Sequence, residues 1–406
     1  MKIKKGQSLY IIIIIILLFG AAMNFQAKFF YFAFSLLIVT CIFKKKISYN
    51  NMVFIYGAIG VLMGLYNVPN GIMAVIRCFA FLVCYLVGYN VMFLKSEGAE
   101  ELKKIIHNQE KKLKLFVATL AIGSFSHLML NWINNRGVNL GRNTIDIWSG
   151  EILSATGQAA IGCLMVGFSS GMILYPVKEK ERLVGMSFTL LLLGYNLILG
   201  GRTLIIMYIL ILGVDFAFIL VNEREKNKIW KIIFITFLLI FILSIVYLYD
   251  IGGIKNVIVS SNLYKRFLGD KVDIELLEST RSILRQGHLK NMFKYPFGGN
   301  HSRREYGYAH DLLLDAYDEY GILVFGLLLI VLMSALKNLY KILRDNYYSM
   351  SFKINLISIY MALLIQFCLE PIFAGMPWLF VCFCFLNGCI ARQNMIVNKM
   401  KYRVFN

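Results

Sequence analysis

Residues 197–212 read LILGGRTLIIMYILIL. Apart from the Gly200-Gly201-Arg202 step the run is apolar, and it continues past Asp215 to Val221 in the same style. A helix rises about 1.5 Å per residue, so about 20 such residues cross a hydrocarbon layer about 30 Å thick. Runs of this kind recur along all 406 residues: 58% of the chain is hydrophobic and only 16% charged. The mean hydropathy is +0.66. That composition excludes a soluble domain. It predicts an all-α polytopic membrane protein in which each span satisfies its own backbone hydrogen bonds.

Working outward from that run, twelve transmembrane helices are expected, near 8–24, 25–43, 52–67, 71–94, 113–132, 153–175, 183–199, 203–221, 229–249, 318–336, 354–371 and 373–391. The first apolar run, Leu9 to Ala22, lacks a convincing cleavage site and reads as a span rather than a secretory leader. Basic residues cluster in every second connection: Lys44 to Lys46, Lys95 to Lys114, Lys178 to Arg182, Arg224 to Lys231, Lys337 to Lys353 and the tail from Arg392. Basic segments stay on the cytoplasmic side. Both termini are therefore expected in the cytoplasm, with the protein in the cytoplasmic membrane of a bacterium. The same placement accounts for the net charge of +19 without nucleic acid as a partner. The cytoplasmic segment Gly98 to Lys114 reads either as an amphipathic helix on anionic lipid or as a solvated connector.

Three parts follow from this layout: spans one to nine over 1–249, a large extracellular loop over 250–317, and spans ten to twelve with a basic tail over 318–406. A second long outer connection, Asn131 to Glu151, carries Arg136 and Arg142. Between Asp250 and His310 stand ten Lys or Arg against six Asp or Glu. A net positive outer loop points to an anionic partner at that face, against the plainer reading of a mixed-charge loop. Within it, Asp270 to Asn291 has helix-forming composition with apolar spacing at Ile274, Leu277, Ile283, Leu284 and Leu289, too polar to span and suited to lie on the surface. The eight cysteines all lie in apolar segments, so no external disulfide framework is expected. Cys382 and Cys384 have no further Cys or His nearby to make a metal site.

The densest chemistry lies between Glu278 and Val324. Arg281 and Arg285 are four apart, on one face of a helix. Pro296-Phe297-Gly298-Gly299 should end that helix. A basic run with Arg303 and Arg304 follows, then His310-Asp311, nine residues, and Gly321 at the start of an apolar run. An imidazole suits proton transfer near neutral pH. Asp311, Asp315 and Asp318 fall on adjacent turns; one could orient the imidazole, or they are helix N-terminal acids favoured by the dipole. Arg202, after two glycines at a span start, reads as an anion site at a helix N-terminus or as a snorkelling interfacial arginine. Arg77 lies well inside the fourth span, where a charge should face a cavity or a partner, with Glu370 as counter-ion or a lipid phosphate as contact. Asp215 reads as structural.

Three of these pieces resemble the O-antigen polymerase and ligase superfamily, the Wzy-type polymerases and O-antigen ligases. They are Gly201-Arg202-Thr203 at a span start, Arg281 with Tyr295-Pro296-Phe297-Gly298, and His310-Asp311 followed by nine residues and Gly321. The resemblance covers about the last half of the chain. It departs at Asp311, where that family more often has an amide or a hydroxyl; a carboxylate there favours assistance to the base.

What the resemblance implies is an inverting, metal-independent glycosyl transfer with no cofactor, at the outer face of the membrane. Donor and acceptor would be glycans on undecaprenyl diphosphate, with a flippase and a chain-length regulator as companions. His310, assisted by Asp311, would handle the acceptor proton, and Arg202, Arg281, Arg285 and Arg77 would bind the diphosphate. Within the superfamily a repeat-unit polymerase for capsule or exopolysaccharide is preferred, since the Ile, Lys and Asn richness points to a low-GC Gram-positive source that lacks a lipid A acceptor. An O-antigen ligase-like transferase to another acceptor, a flippase for lipid-linked oligosaccharide and a non-catalytic scaffold are the other readings.

Overall fold

The computed structural model describes residues 2–23, 29–44, 46–92, 102–136, 142–222, 230, 234, 245, 248–264 and 274–405. Among these the chain is helical almost throughout, and nine helices are long and apolar enough to cross a membrane. Two further apolar helices, Ser8–Met23 and Phe29–Phe43, are shorter. The protein is an all-α, multi-pass membrane protein. Of the twelve expected segments, the one near 229–249 lies almost wholly outside the described residues.

The chain divides into two compact units. The first comprises Met1–His127, Leu276–Lys353 and Leu363–Asn406. It holds α1 (Lys2–Met23), α2 (Phe29–Phe43), α3 (Met52–Asn67), α4 (Ile72–Cys78), α5 (Ala80–Val91) and most of α6 (Leu102–Asn134). The second comprises Leu128–Glu275 and Ile354–Ala362. It contains α7 (Ala155–Leu174), α8 (Glu179–Leu199), α9 (Arg202–Asn222) and α10 (Ile254–Ser260). Most of α11 (Ile274–Met292), with α12 (His301–Tyr306) and α13 (Leu312–Arg344), returns to the first unit; α14 (Met350–Leu369) contributes to both, and α15 (Ile372–Gly375) and α16 (Pro377–Phe405) complete the first.

In the first unit α5 lies directly against α16. A Cβ on Gly88 would overlap the Phe385 carbonyl, and one on Gly388 would overlap the Tyr85 carbonyl. Lipid tails are as apolar as leucine, so spans associate through close packing, which small residues permit. Trp378, Phe380, Phe383 and Phe385 of α16 are almost fully buried, and Phe380 meets Phe81 of α5 edge-on with ring centroids 5.1 Å apart.

From Leu102 onward the expected surface segment is instead the first part of α6, continuous with the span. Its Ile105, Ile106, Gln109 and Glu110 are buried. Glu110 accepts hydrogen bonds from Ser349 N at 2.6 Å and from Ser349 Oγ at 3.2 Å. Protein covers this inner face, while Lys103, Lys104 and His107 on the outer face stay exposed.

In the second unit α7 is the central helix, nearly all of it buried, with α8 and α9 packed on it. Residues 354–362 of α14 pass it at Gly167, where a Cβ would lie 2.8 Å from Ser358 O. Ser358 Oγ donates to Asp215 at 2.5 Å. This partner lets a carboxylate sit fully buried in an apolar helix. In the expected outer connection the described residues include a small hairpin, β1 (Thr144–Ile145) against β2 (Ile152–Leu153). Asp146 stabilises it, accepting from Trp148 N, Ser149 N and Asn131 Nδ2.

Candidate functional site

Two turns carry the residues singled out from the sequence. The first lies in the first unit and is built around a break in α13. At Gly321 the backbone leaves the helix, with φ 86° and ψ 177°. That conformation is open essentially to glycine alone. The break frees backbone groups that a helix would pair, and each needs another partner. The Pro296–Gly299 turn supplies them: Ile322 N donates to Pro296 O at 2.8 Å, Gly299 N to Glu319 O at 3.4 Å, and Asn300 N to Asp318 O at 2.8 Å. Gly298, at φ 77°, meets Gly321 so closely that a Cβ would lie 2.6 Å from Gly321 N. The Pro-Phe-Gly turn and the glycine after the histidine are thus two halves of one joint. Tyr317 Oη pins the chain before it, donating to Asn291 O at 2.9 Å and Tyr295 O at 2.7 Å.

His310 sits on the other end of the short leg Leu312–Tyr320. It adopts φ 55°, one of three non-glycine residues at positive φ among the described residues. The neighbouring carboxylates serve the backbone. Asp311 caps α13, its Oδ1 accepting from Leu313 N at 3.0 Å and Leu314 N at 3.1 Å. Asp318 accepts from Ser302 N and Arg303 N at the start of α12. Asp315 accepts from the amides of Ala309 and Asp311. Of the two roles open to these acids, the one the geometry displays is bonding to the main chain.

As expected, α11 carries both Arg281 and Arg285 and ends at Met292, before Pro296. Arg285 Nη2 donates to His310 O at 3.2 Å and also to the Cys368 carbonyl. Burial lowers the pKa of His310, and the charges of Arg281 and Arg285 lower it further. The imidazole is therefore neutral at pH 7, the form that can take a proton. Its Nδ1 is buried and has no hydrogen-bond partner among the described residues. Chemically this is a neutral base beside two permanent cations. One helical turn from Arg285, His288 is fully buried with Nε2 2.9 Å from Gly307 O, and its Nδ1, like that of His310, has no hydrogen-bond partner among the described residues.

The second turn lies in the second unit, between α8 and α9. Gly200 ends α8 at φ 64° and ψ 31°, its N donating to Asn196 O at 2.8 Å. Any Cβ there would stand 2.9 Å from Asn262. Asn262 Nδ2 in turn donates to Ile198 O at 2.7 Å. Arg202 opens α9. Beside it comes a residue that the sequence did not single out as a site: Arg142, whose Nε donates to Leu199 O at 3.1 Å. Burial lowers the pKa of Arg142, and the charge of Arg202 lowers it further. Two guanidinium groups at one helix start repel each other, and an anion relieves that repulsion.

Arg77 joins neither turn. It lies exposed in the last turn of α4, its guanidinium 4.8 Å over the Phe30 ring. The helix ends at Cys78, where terminal carbonyls favour a cation, and the ring face supplies the rest. Glu370 is buried at the C-terminal end of α14. All eight cysteines are free thiols. Among the described residues no three His, Cys, Asp or Glu converge as a metal site. No family model, no curated protein and no solved structure matches this chain.

Proposed function

We propose that the protein is a membrane glycosyltransferase of the O-antigen polymerase type, joining lipid diphosphate-linked repeat units at the outer face of a bacterial cytoplasmic membrane. The observation that carries this reading is the arginine-flanked imidazole of His310, displayed at φ 55° with its carbonyl on Arg285 and a buried ring nitrogen that has no hydrogen-bond partner among the described residues. The acceptor hydroxyl attacks the anomeric carbon of the donor glycan as His310 takes its proton. The bond from that carbon to the phosphate oxygen breaks, and undecaprenyl diphosphate leaves with the electron pair. Arg281 and Arg285 stabilise the charge that develops on the leaving diphosphate. Arg202 and Arg142 bind a phosphate-class anion at the start of α9. The positive-inside pattern, with both termini cytoplasmic and twelve spans, completes the proposal.

The test in cells compares polymer with single repeat units. His310→Ala and Arg202→Ala should each abolish long-chain glycan while single repeat units still reach the outside. Loss of outward translocation in both variants would instead identify a flippase.

A further inference from the structure

The turn that displays His310 is gripped by one carboxylate. Asp315 lies in the first turn of α13 and is 9% exposed. Its Oδ1 accepts from Ala309 N at 2.8 Å, and its Oδ2 accepts from Asp311 N at 3.1 Å. These are the residues immediately before and after His310, so the amides on both sides of the histidine converge on one anion. An acid in the first turn of a helix commonly serves that helix's own free N–H groups. Here Asp311 does so, through Leu313 N and Leu314 N. Asp315 reaches backwards instead.

The histidine needs such a hold. At φ 55° its Cβ crowds the backbone, a conformation that persists only when the surroundings impose it. Charge-assisted hydrogen bonds to both flanking amides are strong enough to do so. The third hold is Arg285 on the His310 carbonyl at 3.2 Å. The holds on His310 O and Asp311 N fix the peptide unit after the histidine, and the hold on Ala309 N fixes the unit between Tyr308 and Ala309. Together they restrain the direction of the Cα–Cβ bond, and the rotamers open to the ring follow from it.

We infer that Asp315 is a positioning residue for His310, setting the direction of the imidazole by clasping the amides of Ala309 and Asp311. Its effect on turnover rests on the glycosyltransferase reading; its effect on the ring does not. Asparagine is nearly isosteric, but one of its two polar atoms is a donor, so in either flip one amide loses its acceptor.

The experiment uses the full-length protein in detergent. Carbethoxylation of His310 by diethylpyrocarbonate is followed by peptide mass spectrometry in wild type and Asp315→Asn, alongside kcat and KM for a synthetic lipid diphosphate repeat unit. The ring reactivity should change severalfold, and kcat should fall about 10–100-fold with KM for the lipid donor almost unchanged, the signature of a misdirected catalytic group. Wild-type reactivity and wild-type kcat in a folded Asp315→Asn protein would overturn the proposal. If that variant does not fold, amide exchange in the wild type decides: Ala309 and Asp311 should exchange as slowly as amides inside α13, and exchange at open-chain rates would overturn it. A changed ring reactivity in a protein that forms no glycan product keeps the clasp and removes the enzymatic reading. Inactive His310→Ala beside fully active Asp315→Asn removes the clasp alone.

Discussion

The histidine turn of the first unit and the arginine step of the second are fastened in opposite ways. Around His310 the backbone is held at Ala309 N and Asp311 N by Asp315, at His310 O by Arg285 and, further along the short leg, by the Gly298–Gly321 joint. Around Arg202 the fastening is of another kind: a left-handed glycine, and carbonyls capped by Asn262 and Arg142. A proton acceptor works only when its ring is aimed to within a few tenths of an ångström, which favours a rigid backbone. Binding the charge of a phosphate tolerates long, adaptable side chains.

Changes at the histidine turn should therefore be severe, and changes at the arginine step that keep the Arg202 charge should be graded. His310→Ala should lower kcat by about 10²–10⁴-fold, the usual worth of a general base, in an assay of radiolabelled lipid-linked repeat units. A loss under tenfold would break the contrast. Gly321→Ala should come next. It places a Cβ 2.8 Å from the Phe297 carbonyl carbon at φ 86°, so thermal stability in detergent should drop by about 1–3 kcal/mol or more. Arg142→Ala and Arg202→Lys should each raise KM for the lipid donor about tenfold with kcat less affected, since charge or fork geometry is lost while the base stays aimed.

A subtler difference lies in pH. Burial and then the two arginines hold the pKa of His310 below its usual 6.5, so the rate should rise with pH through that lowered value and be flat by pH 7. Arg281→Gln removes one depressing charge, which moves the acid limb to higher pH. A limb that stays put, or moves down, would show that the titrating group is not this imidazole. The smallest expected effect is none: because arginines stabilise the leaving diphosphate, EDTA should leave the rate of the purified protein unchanged.

Much of the first turn could be read directly from the chain. The shared face of Arg281 and Arg285 and the stop near Pro296 follow from local rules on helix period and punctuation, while Gly321 stands out only by its spacing after His310, inside a span expected to be continuous. The joint between Gly298 and Gly321 does not, because it depends on which carbonyls a kink leaves unpaired. Asp315 was visible as a helix-start acid, yet only the positive φ of His310 gives its backward reach a purpose. Arg142 was further from reach, since its partner Leu199 lies 57 residues on and no local pattern joins them. The all-α, multi-span character was legible from composition, whereas the burial of the start of α6 was not, because amphipathic spacing marks an apolar face without saying whether lipid or protein covers it.

The claim that an aimed imidazole beside arginines forms a glycosidic bond is tested most directly with purified protein and a synthetic undecaprenyl diphosphate repeat unit. The account predicts a ladder of products, with one undecaprenyl diphosphate released for each bond formed, and no ladder from His310→Ala. An equal ladder from His310→Ala, or no product from wild type in a preparation that binds the lipid, would contradict it.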